Sequence, residues 1–508
     1  MYPFLFANLG NIQDYETGVF WGRKEFFKNI KYRIAYFKNI GIKPKEKVII
    51  AHGNNIRFFA DLFALWHLNA SAVCIDNNIG ISEFENIINT CSSKFVIVNG
   101  KIPLKISKFK HKTIKFIDTM KCNKNTNIID LNNIHIKFDA NFENIALILF
   151  TSGTTGVPKG VVHTFRSLIS KWISLEDFVP LKYMKNSMCL LPTNFGHGLI
   201  CNCLYPLLNG KTLLILPKFN IALLSKLNKI IDENNITYMS SVPSVWKIVL
   251  KLSKKPIKKS LKLITCGSSP LSAYLWNNIQ NWSSIKRVWN TYGITETGSW
   301  IAGTQGNSII PKDGMTGKGW GTKIIISKEI SNISNDANLL DSNNCLKKNE
   351  RGYIWVQTSS LMQGYLGQKK MTNSVVCGSW FFTGDLGYID SKGSLVLTGR
   401  VRNEINTGGI KVTPEDIDLI LERHPKIIES CTFGMPDDLA GEIVATAIII
   451  KQGSNLLSND IYKWTCKYIS DYKAPKVWYR VKEIPKTPRG KINREEVAKY
   501  CSKIPKMK

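Results

Sequence analysis

Nowhere in the 508 residues does an uninterrupted apolar run reach the roughly 18 residues that a membrane-spanning helix needs, so no membrane span is expected. The opening stretch, MYPFLFANLGNIQDYETG, has no basic segment ahead of a sustained apolar one, so no secretory leader is expected and the cytoplasm is the expected location. Acidic residues are in short supply: 38 Asp and Glu face 68 Lys and Arg, for a net charge of +30. Such a surplus fits nucleic acid, an anionic lipid surface, or a general drift toward Lys, Asn and Ile. The lysines are scattered through every region, with no basic block and no Cys/His finger spacing, so the third reading is favoured and no nucleic-acid partner is expected. A polyanionic small molecule would still be drawn to this surface. The 12 cysteines lie far apart, and the closest pair, Cys201 and Cys203, sits on an apolar segment, so a disulfide framework is not expected. No polar, aromatic-poor segment is long enough for disorder, and no internal repeat is present.

The length calls for at least two domains, one large enough to contain subdomains. Short apolar runs alternate with amphipathic stretches: KVIIA at 47–51 ahead of Phe58 to His67, then FVIV at 95–98, ALILF at 146–150, TLLIL at 212–216 and LKLIT at 261–265. That rhythm is α/β, with largely parallel sheets whose ligands sit in the loops beyond the carboxyl ends of strands. After about residue 310 the texture turns to Gly-punctuated strands, GYIWVQ and GSLVLTGR, which read as an antiparallel or β-barrel-like subdomain. Beyond a boundary at 399–403, PEDIDLILERH reads as a helix opened by Pro414, followed by the strand ATAIII and a second amphipathic helix near 458–470.

The strand ALILF runs into TSGTTGVPKGVVHT, a loop dense in Gly, Ser and Thr that ends on Lys159 ahead of an expected helix. Glycines let backbone N–H groups approach phosphate oxygens, hydroxyls add donors and the lysine supplies a point charge, so Thr151, Ser152, Gly153, Thr154, Thr155, Gly156 and Lys159 form a candidate phosphate cradle. The spacing is not that of a Walker A loop. A merely flexible surface loop would rarely carry this order of residues directly after a buried strand.

TSGTTGVPKG resembles the signature loop of the adenylate-forming superfamily, which includes acyl- and aryl-CoA synthetases, the adenylation domains of peptide synthetases, and firefly luciferases. Four more motifs similar to the family's follow in its order: NTYGITETG at 290–298, FFTGDLGYID at 381–390, GRVRNEINTGGIKVTPEDID at 399–418 and PKTPRGKINR at 485–494. The resemblance covers nearly the whole chain. It implies a large N-terminal adenylation domain, 1–398, a hinge at 399–403 and a small mobile α+β C-terminal domain, 404–508. It further implies that ATP, Mg2+ and coenzyme A are used to convert a carboxylic acid, through an acyl-adenylate, into a thioester.

Within NTYGITETG, the resemblance places Asn290, Thr291, Tyr292 and Gly293 against the nucleotide, with Tyr292 stacked on adenine, Thr295 on the phosphates and Glu296 on Mg2+. A carboxylate is the ligand a hard cation bridging phosphates prefers. TCGSSP at 265–270 is similar to the adenine-binding turn and implicates Gly267 and Ser268. Asp385, offering acceptors only, suits the ribose hydroxyls, with Arg400 assisting. Arg402 marks the hinge, and Gly408 and Gly409 would line a pantetheine tunnel. Lys491 is the implied catalytic lysine, an ammonium between the attacking carboxylate and the α-phosphate. Without these motifs, Glu296 reads as a solvated acid, Tyr292 as a core aromatic and Lys491 as a solubilising charge.

The acid pocket departs from the family pattern. Phe195 in LPTNFGHGLICN stands where many acyl-CoA synthetases have His, and Phe165 replaces another expected His. His197 lies close by, as a partial substitute or a packing residue. Ser241, in YMSSVPSVW, is expected on one wall and Trp300 as a cap or floor. No Asp is available in 194–199 to pair a substrate ammonium, which favours a plain carboxylic acid over an amino acid. A carrier-protein phosphopantetheine is the alternative thiol acceptor, and a catalytically silent relative is the reading from outside enzymology.

Overall fold

A computed structural model describes residues 7–107, 109, 113–122, 134, 141–151, 158–218, 220–330, 340, 344–408, 410–487 and 490–507. The expected runs become strands: Lys47–Ile50, Phe95–Val98, Ile145–Thr151, Thr212–Ile215 and Leu263–Gly267. Two layered sheets built on parallel strands make the large N-terminal domain. In the first, Thr212–Ile215, Asn186–Cys189, Tyr238–Ser241, Leu263–Gly267 and Val288–Ile294 lie side by side in parallel. Ser299–Gly303 then turns back antiparallel and leads through Met315–Gly319 into the Gly-punctuated strands Leu395–Arg400, Trp380–Ile389, Gly352–Thr358 and Thr322–Ser327. The antiparallel part expected after residue 310 is therefore continuous with the parallel one. The second sheet runs Lys159–Thr164, Ile145–Thr151, Ser71–Cys74, Lys47–Ile50, Phe95–Val98, Lys115–Asp118, with short Gly364–Tyr365 on its outer edge.

Helix Ile56–His67 is buried on nearly every side, and its apolar content, FFADLFALW, explains why it lies in the main core. Trp66 meets Phe165 edge-on at 5.7 Å, so Phe165 is a core aromatic where a polar site residue was the family pattern. Asp61 is the exception on this helix. Its buried carboxylate takes Arg33 Nε at 2.7 Å, His52 Nε2 at 2.9 Å and the Thr119 hydroxyl at 2.7 Å. Burial works to raise its pKa, but Arg33, His52 and Thr119 together hold it below the ordinary value. The resulting stabilisation is present above the ordinary carboxylate pKa and is lost as pH falls through the depressed one. Asp61→Ala strands the Arg33 charge and is expected to lower unfolding stability by about 3–5 kcal/mol in denaturant titrations; a loss below about 1 kcal/mol would contradict the network.

The C-terminal domain has its own five-stranded sheet, with Gly441–Ile450 at its centre beside Ile427–Asp437. Helix Pro414–Glu422 starts on proline with Glu415 and Asp416 in its first turn, as the sequence implies, and Ser458–Cys466 forms the second helix. None of the 12 cysteines forms a disulfide. Among the described residues no helix is long and apolar enough to cross a membrane.

Candidate active site

The strands on either side of the Gly/Ser/Thr segment pair with each other. Strand Ile145–Thr151 lies antiparallel to Lys159–Thr164, with Thr151 opposite Lys159. This corrects the expectation of a helix directly after Lys159. The run KGVVHT, rich in β-branched residues, pairs along the strand, and the helix waits for Phe165, where the Thr164 side chain caps the Ser167 N–H. Ser152, Gly153, Thr154, Thr155 and Gly156 lie outside the described residues. Lys159 is thereby held at the end of the strand pair, its Nζ 5.5 Å from the centre of the Tyr365 ring.

Strand Val288–Ile294 carries NTYGI, and Thr295–Thr297 forms a single helical turn before the chain doubles back. Gly298 and Ser299 are both left-handed, at φ 68 and 80. A side chain on Gly293 would collide with the Ser299 carbonyl, so the reversal needs glycine there. The turn sets Glu296 half-buried, with Oε1 accepting the Tyr365 hydroxyl at 2.8 Å. The Thr295 carbonyl receives His163 Nε2–H at 2.8 Å, and burial holds His163 down to about 4, so its ring is neutral. Asn290 and Thr291 lie within the strand Val288–Ile294. Their side chains donate to the Met315 and Cys266 carbonyls at 2.8 and 3.3 Å, which ties the sheet together.

Asp385 and Arg400 face each other across paired strands, with Arg400 Nε 2.5 Å from Oδ1. The Tyr292 hydroxyl donates to the other oxygen at 2.6 Å. Three residues from three separate motifs thus meet in one ion-paired cluster, and the Tyr292 ring is fixed by its own hydroxyl. Val401–Asn403 makes a single turn after this strand, leaving the Arg402 side chain exposed. Gly408 is left-handed at φ 59, while Gly409 lies outside the described residues.

The acid-pocket segment folds as a π-helix, His197–Leu204, a rare form that inserts an extra residue per turn. His197 starts it and is bonded at both ring nitrogens: Nδ1 to the Ser268 hydroxyl at 2.8 Å and Nε2 to the Ser240 hydroxyl at 2.6 Å. Burial, then the nearby Lys491 charge, hold His197 down to about 3, so the ring is neutral. Ser268 sits at φ 67, unusual without glycine, directly after Gly267, whose missing side chain leaves room for Thr291. Side chains alternate along Tyr238–Ser241, so with Ser240 turned to His197, Ser241 points to the opposite face. The Trp300 ring meets His197 at 5.4 Å, edge to face, and Phe195 lies 6.1 Å from His197 on the other side.

Lys491 reaches this pocket from the C-terminal domain, its Nζ 5.9 Å from the centre of the Phe195 ring. Adjacent Gly490 packs where a side chain would strike the Ser244 hydroxyl. Between the domains, Lys247 Nζ meets Glu422 at 2.6 Å and Glu429 at 3.5 Å, and Arg423 pairs with Asp313, while Lys486 meets Glu429 at 2.9 Å within the C-terminal domain. The structure therefore brings Lys159 and Glu296 together on Tyr365, Tyr292 and Arg400 on Asp385, and Lys491 beside Phe195 and His197. Tyr365 and Ser240 were missed by the motifs. Ser240 faces His197 by a parity that only the pairing of its strand fixes, and nothing local marks Tyr365, which comes from a separate strand some 70 residues beyond Glu296.

Three lines of comparison show what the chain is similar to. The model of the AMP-binding enzyme family matches residues 19–366, and that of the AMP-binding enzyme C-terminal domain matches 416–491. The chain is 26% identical to an oxalate–CoA ligase of Arabidopsis thaliana, over 92% of this chain and 90% of that protein. It is 29% identical to 4-coumarate–CoA ligase-like 2 of the same plant, covering 72% of this chain and 63% of the relative. ATP-bound MatB from Rhodopseudomonas palustris shares the fold at a TM-score of 0.85 and 20% identity, with 99% of this chain and 98% of that one covered. With both of the family's models matched in order, the chain belongs to the AMP-binding enzyme family.

Proposed function

We propose that the protein is an acid–CoA ligase working in two half-reactions. A carboxylate oxygen bonds to the α-phosphorus of ATP and pyrophosphate leaves; the CoA sulfur then attacks the acyl carbon of the adenylate and AMP leaves. The observation that carries this reading is Lys491 standing over Phe195 beside His197, a cation delivered to the acid pocket by a separate domain. Coulomb attraction in a poorly hydrated site stabilises the charge that builds as two anions meet. Asp385 would take the ribose, with Arg400 and Tyr292 holding its carboxylate in place, and Lys159 would face the phosphates. The relatives named for oxalate and 4-coumarate support coenzyme A as the acceptor.

Among the described residues no cluster of three or more His, Cys, Asp or Glu could hold a metal by itself. Mg2+ fits this site differently, through one carboxylate plus substrate phosphates. Tyr365 engages Glu296 Oε1, and no described group engages Oε2. Glu296 would hold the ion, which when bound neutralises the charge on departing pyrophosphate.

The proposed division is a domain at 1–398, a hinge at 399–403 and a mobile domain at 404–508 turning about Arg402. Glu422 and Glu429 would have to release Lys247 for the second half-reaction. The absence of disulfides supports a cytoplasmic setting.

Pyrophosphate release with ATP and Mg2+ tests the reading, using fatty, aryl and short polar acids with and without CoA. Acid-dependent release that turns catalytic with CoA, with acyl-CoA found by mass, is expected. Release that stays stoichiometric despite CoA would favour a carrier-protein acceptor, and no release with any acid would overturn the proposal.

A further inference from the structure

Helix Phe165–Glu176 sends Lys171 into the interior behind the acid pocket, where the residue is completely buried. Its ammonium donates to the Trp300 main-chain carbonyl, and its stem lies along Gly298, where a side chain would meet it. Among the described residues no carboxylate lies within ion-pair distance. The titratable groups around it give no counter-charge. His163 is neutral, and burial pushes the Cys201 thiol upward, so it stays protonated. Burial lowers Lys171 itself to about 8, which still leaves it largely charged at neutral pH.

An ammonium has three N–H donors, and one carbonyl accepts only one of them here. The indole Nε1–H of Trp300, whose ring packs edge to face with His197, also has no acceptor among the described residues. A buried unpaired charge is costly, and an apolar side chain of similar size would do better in a merely structural role. Contacts run inward from Lys491 to Phe195, His197, Trp300 and finally Lys171. Behind the Trp300 ring that packs on His197 there are thus surplus donors and, among the described residues, a positive charge without an acidic partner.

We infer that Lys171 is a specificity-determining residue, and that the acid activated here is a dicarboxylic acid whose second carboxylate is held by the Lys171 ammonium and the Trp300 indole N–H. A hydroxyl or carbonyl would satisfy the donors and leave the charge uncompensated; a second carboxylate does both. This inference rests on the acid–CoA ligase reading.

The test measures kcat/KM for pyrophosphate release with paired dicarboxylic and monocarboxylic acids of two to eight carbons. It uses the full chain and its Lys171→Met and Lys171→Arg variants, with unfolding midpoints recorded in parallel. The wild type is expected to favour dicarboxylates. Lys171→Met should lower the dicarboxylate-to-monocarboxylate ratio by about 100-fold, the scale of removing one partner from a buried charge pair. Lys171→Arg should keep the order of preference. If Lys171→Met fails to fold, loss of the preference in Lys171→Gln, with Lys171→Arg retaining it, carries the same meaning. A ratio unchanged on removing the charge overturns the inference, as does a wild type that activates monocarboxylates alone; the ligase reading survives both. No activity with either series overturns this inference, and the ligase reading falls with it only if the fatty and aryl acids give no release either.

Discussion

Lys491→Ala is expected to slow acid-dependent pyrophosphate release by about 10²–10³-fold, the scale of removing one preorganised donor from a developing anion. Thioester formation from supplied acyl-adenylate should fall far less. The asymmetry follows from the domain arrangement. Lys491 belongs to a loop of the C-terminal domain that reaches the pocket only while that domain is docked through Lys247 and Arg423. In the proposed second conformation the lysine is elsewhere. Lys491→Arg keeps the charge but changes its shape and reach, and should recover only part of the rate. Separate assays of the two half-reactions decide the matter, and equal losses in both would remove Lys491 from the first step alone.

Asp385→Ala should weaken ATP binding by about tenfold or more, since hydrogen bonds to a charged group are each worth about 1.5–3 kcal/mol. The cluster makes a second effect certain to accompany the first. Removing the carboxylate leaves the Tyr292 hydroxyl without its acceptor at 2.6 Å and Arg400 without its anion, so the adenine-side ring loses its anchor. Asp385→Asn separates the two contributions, because the amide oxygen still accepts from Tyr292 while the charge is gone. Isothermal titration with ATP should rank wild type, Asn and Ala in falling affinity. Nucleotide affinity unchanged in Asp385→Ala would take this residue out of the ribose site.

Period and spacing determined a good deal. The alternation of short apolar runs with amphipathic stretches specified α/β architecture, because a strand buried on both faces must be apolar throughout while a covering helix needs one apolar face. Gly-rich turns after strands located the functional loops, and the five motifs named the residues that the structure brings together. Burial and chain reversal were beyond such reading. Whether Lys159 opened a helix or returned as a strand depended on a partner strand, and Ser240 rather than Ser241 meets His197 because strand parity is counted from tertiary pairing.

What the sequence alone determined is therefore the fold class and the family, together with the polar residues that the family's motifs single out, since those reside in local patterns and short fixed spacings. What only the tertiary structure decided is which charges meet. Tyr365 on Glu296, Tyr292 and Arg400 on Asp385, and a lysine with no acidic partner behind Trp300 all join residues distant along the chain. Electrostatic energy depends on separation and burial in space, and neither quantity is written in the order of residues.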